Sequence, residues 1–242
     1  MFGRVKIMQI DVLASSSLGN AYIVSDGVTS ILLDAGIPYK ELQAKSDFKV
    51  NEVAACFLSH GHLDHSRAVK DLLKYAIDVY ALPETLSALN VLEHHRAYIV
   101  EPMESFTVNT FEILPITMYH DCPCVGYMVY SNVTNERLFF ATDTYKITVN
   151  PQGVDYLILE INYQKEIVNR LVNDGVMEAS IRARLLFSHY ELSKALNWLK
   201  RIDKSRLKRI YVAHLSNAHS DEAEIKNAVI AETGVPTVIC EQ

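Results

Sequence analysis

His60, His62, Asp64 and His65 fall within six consecutive positions and spell H-x-H-x-D-H. Histidine is scarce here, nine in 242 residues, so three within one hexad mark a site rather than chance composition. Imidazole nitrogen and carboxylate oxygen together suit Zn²⁺, Mn²⁺ or iron. The cluster therefore points to a metal-binding protein, and to hydrolysis as its chemistry.

One turn of chain cannot satisfy two metals, so further ligands are expected where a rigid sheet can hold them in register. The sequence supplies three. His120 ends the run EILPITMYH, Asp143 ends RLFFATD, and His214 ends RIYVAH. Each is a metal-ligating type at the end of a β-run, where α/β sheets gather their chemistry.

The elements that carry these residues follow from periodicity. Residues 4–13 and 20–34 read as strands, with Asp26-Gly27 as a hairpin turn. The apolar run 53–58 reads as a buried strand that leads straight into the hexad. Helical spacing covers 66–76, and Pro83 opens a helix through 92, with a strand at 78–82 between them. Segments 106–119, 125–131 and 137–142 read as antiparallel strands, and 154–161 as a strongly apolar one. Helices are expected near 163–173, 177–185, 192–202 and 221–232, with strands at 207–214 and 235–240. Two strand-rich halves with helices suggest an α/β protein with two sheets packed face to face.

Asp34 in LLDAG, then the hexad, then His120, Asp143 and His214, in that order and at these intervals, resembles the metallo-β-lactamase superfamily. The resemblance spans nearly the whole chain. It implies one domain over 1–242 with a four-layer αβ/βα sandwich, the metallo-β-lactamase fold. It also implies two divalent metal ions, zinc or manganese. His60, His62 and His120 would hold one, Asp64, His65 and His214 the other, and Asp143 would bridge them. Asp34 would orient the hexad without touching metal, as ligand-supporting carboxylates do. A hydroxide bridging the two ions would attack the substrate.

The superfamily hydrolyses lactams, thioesters and phosphodiesters, so fold alone does not choose. Glu160 in ILEINYQ and His189 in LFSHYELSKAL resemble a Glu and a His that its nuclease members place beside the metals. There the His faces the leaving group and the Glu orients it, which makes Asp64, Glu160 and His189 the expected catalytic set. Asn162 is a further candidate. A helix-start histidine with no catalytic task is the plainer reading of His189. The segment Leu13–Ala21 resembles the A-S-G-S-x-G-N loop of a small cytosolic branch of DNA 5′–3′ exonucleases, with Ser16 in place of a glycine. Such a loop could offer backbone N–H groups to phosphate, or be a plain β-turn. That branch often has T-D-T-G where this chain has Thr142-Asp143-Thr144-Tyr145, and a tyrosine there could narrow the cleft or stack on a base.

Composition bounds the partners. The net charge of −6 argues against a broad electrostatic grip on nucleic acid, although residues 200–209 are locally basic. The N-terminal stretch lacks the apolar core of a signal peptide, and no segment has the length of a membrane span. Four scattered cysteines without a C-x-x-C pair fit reduced thiols in the cytoplasm, with a metal role conceivable for Cys122 and Cys124. His94-His95 and His219 fall outside the expected ligands. The leading expectation is a dinuclear phosphodiesterase, a nuclease acting on DNA in preference to RNA, with no membrane partner. The alternative is hydrolysis of a small molecule such as a cyclic nucleotide, lactone or thioester, which the acidic charge favours. A non-catalytic binding module is the third reading, and the complete ligand set counts against it.

Overall fold

The computed structural model of the chain describes residues 7–216 and 218–240. These divide into two compact units. The first runs through Thr117 and includes Val125–Arg137; the second comprises Met118–Cys124 and Leu138–Cys240. The expected first strand starts at residue 4, so its opening residues lie outside the described ones.

In the first unit, strands β1 (Gln9–Ser16), β2 (Gly19–Ser25), β3 (Ser30–Leu33), β4 (Ala55–Phe57), β5 (Asp78–Ala81) and β6 (Ala97–Ile99) form a six-stranded sheet in sequence order. The first three run antiparallel and the rest parallel. Helices α1 (Tyr39–Lys45), α2 (Leu63–Ser66), α3 (Val69–Lys74) and α4 (Pro83–Ala88) connect the parallel strands. The helix expected over 66–76 is α3, shorter at both ends, and residues 63–66 form a separate short helix, α2. Asp64 and His65 thus sit on a turn of their own.

Register explains why this sheet is buried on both faces. Ile23, Leu32, Cys56 and Val79 line up across four strands and join the aliphatic core with Leu42, Leu72 and Leu86 of the helices. One residue on, Tyr22, Leu33, Phe57, Tyr80 and Tyr98 form the opposite row. A strand alternates faces at each residue, so the two rows cannot mix. The aromatic row packs on β7 (Phe106–Val108), where the Phe106 ring lies 5.2 Å from Tyr80, and on β9 (Pro123–Ser131), where Tyr127 lies 5.6 Å from Phe57. Between them runs β8 (Phe111–Tyr119), paired antiparallel with β7 across a turn at Asn109, so the single strand expected over 106–119 is a hairpin.

In the second unit, β10 (Arg137–Ala141), β11 (Tyr156–Glu160), β12 (Arg209–Ala213) and β13 (Thr237–Ile239) run parallel in the order β13-β12-β11-β10. The antiparallel expectation for 137–142 fails at the β11 side, because β10 meets β11 through a crossover rather than a hairpin. Helices α5 (Lys165–Asn173), α6 (Ala179–Ser188), α7 (Leu192–Leu199) and α8 (Glu222–Thr233) complete the unit. Trp198, the chain's one tryptophan, is fully buried on α7, stacks 5.7 Å from Phe139 and donates its indole N–H to Val149 O. The Asp221 carboxylate caps α8 at Glu224 N, and Gly234 ends it at φ 70°.

The turn expected at Asp26-Gly27 is present, with Gly27 at φ 82°. The Asp26 carboxylate accepts from Val28 N, Thr29 N, the Thr110 hydroxyl and the Ser131 hydroxyl, tying the β2–β3 hairpin to two later segments. Burial pushes its pKa up, but those four hydrogen bonds outweigh it and hold the carboxyl below its ordinary value. Asp26→Ala is expected to cost about 1–3 kcal/mol by leaving buried donors unmet, read as a lower urea midpoint at neutral pH. A lowered pKa stabilises above the ordinary value of 3.8 and the gain is lost as pH falls through the folded value. The gap between wild type and variant should therefore close below about pH 3.8.

Candidate metal centre

The hexad in the first unit follows β4 and is held by one buried carboxylate. Asp34 ends β3 with no exposed surface and a left-handed backbone, φ 56°. Its Oδ1 accepts from Ser59 N at 2.7 Å and Ser59 Oγ at 2.9 Å, and its Oδ2 accepts from His65 Nδ1 at 2.7 Å. A carboxylate only accepts, so His65 carries its proton on Nδ1 and turns a lone pair outward on Nε2. Ser59 Oγ, having given its proton to Asp34, accepts from His60 Nδ1 at 3.0 Å, which leaves His60 Nε2 as the other lone pair. The His62 ring stands edge-on to His60 at 4.6 Å, and Asp64 Oδ2 lies 3.5 Å from His65 Nε2. These are the tautomers and orientations that ligation requires.

Two neighbours of the hexad come from the loop segment Leu13–Ala21 and from LLDAG. Asn20 Nδ2 lies 3.2 Å from His65 Nε2 and donates to Ser16 O at 2.9 Å. The segment Leu13–Ala21 that carries it is a β-hairpin with a Ser17-Leu18 turn, the plainer of the two readings above. Gly36 packs so tightly on the hexad that a Cβ would stand 1.7 Å from Asp64 O. Only glycine allows that approach.

In the second unit, His120, Asp143, Glu160, His189 and His214 all sit at element ends. Ligand atoms of Asp143, Glu160, His189 and His214 lie within 4.8 Å of one another, a spacing open to a metal ion. His120 donates Nδ1–H to Ser188 O at 2.7 Å, which puts the ring's lone pair on Nε2, 3.1 Å from Asp121 Oδ1 and 3.7 Å from Asp143 Oδ2. Burial pushes the His120 pKa below its ordinary value despite the pull of Asp143, favouring the neutral ring that binds metal. Cys122 Sγ lies within 4.8 Å of the His120 ligand nitrogen. His214 and Asp143 both have left-handed backbones, φ 52° and 44°. Asn162 Nδ2 donates to His214 O at 2.7 Å and lies 3.1 Å from its Nδ1, so the candidate role of Asn162 is to hold that ring.

Glu160 ends β11 with no exposed surface. Its Oε2 accepts from Thr144 N at 2.8 Å and its Oε1 from His189 Nδ1 at 2.6 Å. Burial and the Asp143 charge push its pKa up, but the His189 charge and hydrogen bonds from His189 and His214 outweigh them and keep it ionised. Burial lowers the His189 pKa in turn, and the Glu160 charge and hydrogen bond outweigh it, so the ring holds its proton above the ordinary value. His189 closes the C-terminus of α6, which runs three residues beyond the expected 185, and the negative end of the helix dipole adds to that preference. The His189 ring stacks on His214 at 5.3 Å and meets His120 edge-on at 5.5 Å. His219 lies on a turn, hydrogen-bonded to Ser216 at 2.9 Å. His94 and His95 stack on each other at 4.6 Å, His95 exposed and His94 half-buried.

The beta-lactamase superfamily domain matches residues 29–214, and the chain belongs to that superfamily. Its fold is the metallo-β-lactamase fold, and it is a hydrolase of that class. It is 26% identical over 223 residues to the exodeoxyribonuclease YycJ of Bacillus anthracis, covering 86% of this chain and 83% of that protein. The exodeoxyribonuclease WalJ of Streptococcus pneumoniae is also 26% identical, over 226 residues, covering 86% and 82%. Among solved structures, the metallo-beta-lactamase fold protein YhfI of Bacillus subtilis superposes with a TM-score of 0.76 at 16% identity, covering 97% of each chain. The fold implies divalent metal, and the histidine and aspartate groups fit it. No helix among the described residues is long and apolar enough to cross a membrane.

Ser59 touches no ligand atom directed outward, yet it sets the tautomer of His60 and shares the carboxylate that sets His65. Ser59→Ala is expected to weaken divalent-metal affinity about 10–100-fold. Calorimetric titration of the metal-stripped protein with Zn²⁺ or Mn²⁺ reads this directly. An unchanged affinity would refute the assigned role.

Proposed function

We infer that the protein is a dinuclear metal-dependent phosphodiesterase, a nuclease acting on DNA. His60, His62 and His120 would hold one ion and Asp64, His65 and His214 the other, with Asp143 contributing to both. Zinc or manganese in that site supplies an activated hydroxide and neutralises the phosphoryl oxygens. Imidazole suits zinc and carboxylate suits manganese, so the donor set would take either.

The observation that carries the reading is the Glu160–His189 pair, 2.6 Å apart and beside Asp143 and His214. Glu160 holds Nδ1–H, so the mobile proton of the imidazolium is on Nε2. When the P–O bond breaks, that proton goes to the departing oxygen. Glu160 is a positioning residue here, and His189 is the catalytic one. A thioester, whose thiolate leaves without a proton, has less need of such a donor than a diester with an alkoxide leaving group. The exodeoxyribonuclease relatives, matched over most of their length, support DNA as substrate. The scattered placement of Cys56, Cys122, Cys124 and Cys240 supports a cytoplasmic location, where thiols stay reduced.

The test is a panel of diesters with Mn²⁺- or Zn²⁺-loaded protein: bis-p-nitrophenyl phosphate, and single-stranded and duplex DNA and RNA labelled at either end. DNA should be degraded, and chelation should abolish the activity. Failure on every diester with metal content verified would overturn the reading, and turnover of a lactone in its place would favour the small-molecule alternative. His189→Ala should lower kcat on DNA about 10²–10⁴-fold. The same variant should lose much less on bis-p-nitrophenyl phosphate, because p-nitrophenolate leaves without a proton. Equal losses on both substrates would assign His189 a different task.

A further inference from the structure

The second unit opens a cavity of about 550 Å³, bordered by Tyr145, Lys146, Tyr190, Lys194 and Arg201. Two of these follow site residues closely: Tyr190 is next to His189, and Tyr145 is two positions from Asp143. Three cations line the cavity and no carboxylate does, among the described residues, in a chain whose net charge is −6. Lys194 Nζ stands 6.0 Å from the centre of the Tyr145 ring, and Lys146 Nζ 5.3 Å from that of Tyr119.

Four other cations of the basic run are engaged elsewhere. Arg206 and Lys208 both reach the buried Asp155, at 3.1 and 2.9 Å, and Lys200 pairs with Glu232 at 3.5 Å. Lys204 Nζ donates to Leu199 O at 2.7 Å, closing the end of α7. Arg201 is the member of the run that lines the cavity. Next to the cavity, Phe187 is 66% exposed and meets the Tyr145 ring edge-on at 6.1 Å. A large ring left in water beside a half-buried tyrosine serves no core.

Cations spaced along a groove with exposed aromatic faces are what an unpaired nucleic-acid strand requires: charge for the backbone and rings for the bases. A volume of about 550 Å³ falls in the range of small-ligand pockets and suits a nucleotide unit. We propose that this cavity holds the nucleotide adjoining the scissile phosphodiester of a single-stranded nucleic acid. Lys194 and Arg201 take its phosphates, and Tyr145 and Phe187 stack on its bases. The assignment rests on the phosphodiesterase reading and adds to it the strandedness of the substrate and the residues that grip it.

The test separates binding from turnover. Anisotropy of a labelled oligo-dT with phosphorothioate linkages, which resists hydrolysis, is measured for wild type, K194E/R201E and Phe187→Ala. All three changes are at exposed positions, and a thermal melt checks the fold. The double charge reversal should weaken binding at least about tenfold and flatten the salt dependence by about 0.7 in log–log slope for each phosphate no longer neutralised. Phe187→Ala should weaken it about tenfold with the slope unchanged. In parallel, the ratio of kcat/KM for single-stranded DNA to that for bis-p-nitrophenyl phosphate should fall in both variants. Equal binding by all three proteins, absence of binding by wild type, or tighter binding of a duplex than of a single strand would overturn the strand site. Weakened binding in the variants, with no diester cleaved by wild type, would uphold the strand site and overturn the nuclease reading.

Discussion

In each unit the candidate site is built around a carboxylate taken wholly out of water. Asp34 and Glu160 have no exposed surface, and each closes a strand. An ionised carboxylate in such a place is costly unless hydrogen bonds answer it. Asp34 is answered by Ser59 and His65, and Glu160 by Thr144 N and His189. In both units the answering groups include an imidazole of the site. The fold therefore cannot satisfy its buried charge without also fixing the tautomer of a functional histidine. Stability and ligand geometry are one constraint, which is why the chemistry can rest on so few residues.

The second constraint is in the backbone. Asp34, Asp143 and His214 each follow the last residues of a strand and each adopt positive φ, uncommon outside glycine. Such conformations cost about 1–3 kcal/mol each. They turn the chain sharply where the sheet ends, so a side chain leaves the strand direction. The neighbouring hydrogen bonds hold the turns. Asp34 N donates to Phe57 O at 2.9 Å, and the Asn162 side chain donates to His214 O at 2.7 Å. That three candidate site residues share this strain is a stronger sign of a working site than the presence of any one of them.

Much of this was legible in the sequence, for identifiable reasons. Ligand types at the ends of apolar runs are a combination that few other roles explain, so His120, Asp143 and His214 could be read beside the hexad. The buried strands were read from their apolar runs, with ends correct to within a few residues. The residues that steer the site were not legible. Ser59 and Thr144 are common polar residues, and Thr144 acts through a backbone N–H that no side-chain motif can mark. Short helices also escaped: α1 has seven residues and α2 four, too few to show a period. The basic run at 200–209 misled in a different way. Charge can be counted along a sequence, but whether Arg206 and Lys208 face solvent or Asp155 depends on β11 and β12 lying side by side.

That last point resolves an apparent conflict between an acidic chain and an anionic substrate. At physiological salt the Debye length is about 8 Å, so a charge summed over the whole molecule is largely screened at any one point of the surface. What a phosphate meets is the local set of groups. In the second unit that set is a cationic cavity bordered by Tyr145 and Tyr190, each close in sequence to a residue of the candidate site. The strand ends carry groups suited to breaking a bond, and many superfamily members with different substrates share that arrangement. The choice of substrate has to come from the parts that are free to differ. Here those are the segment after Asp143 and the start of α7, where Lys146 and Lys194 are exposed and take no part in the core.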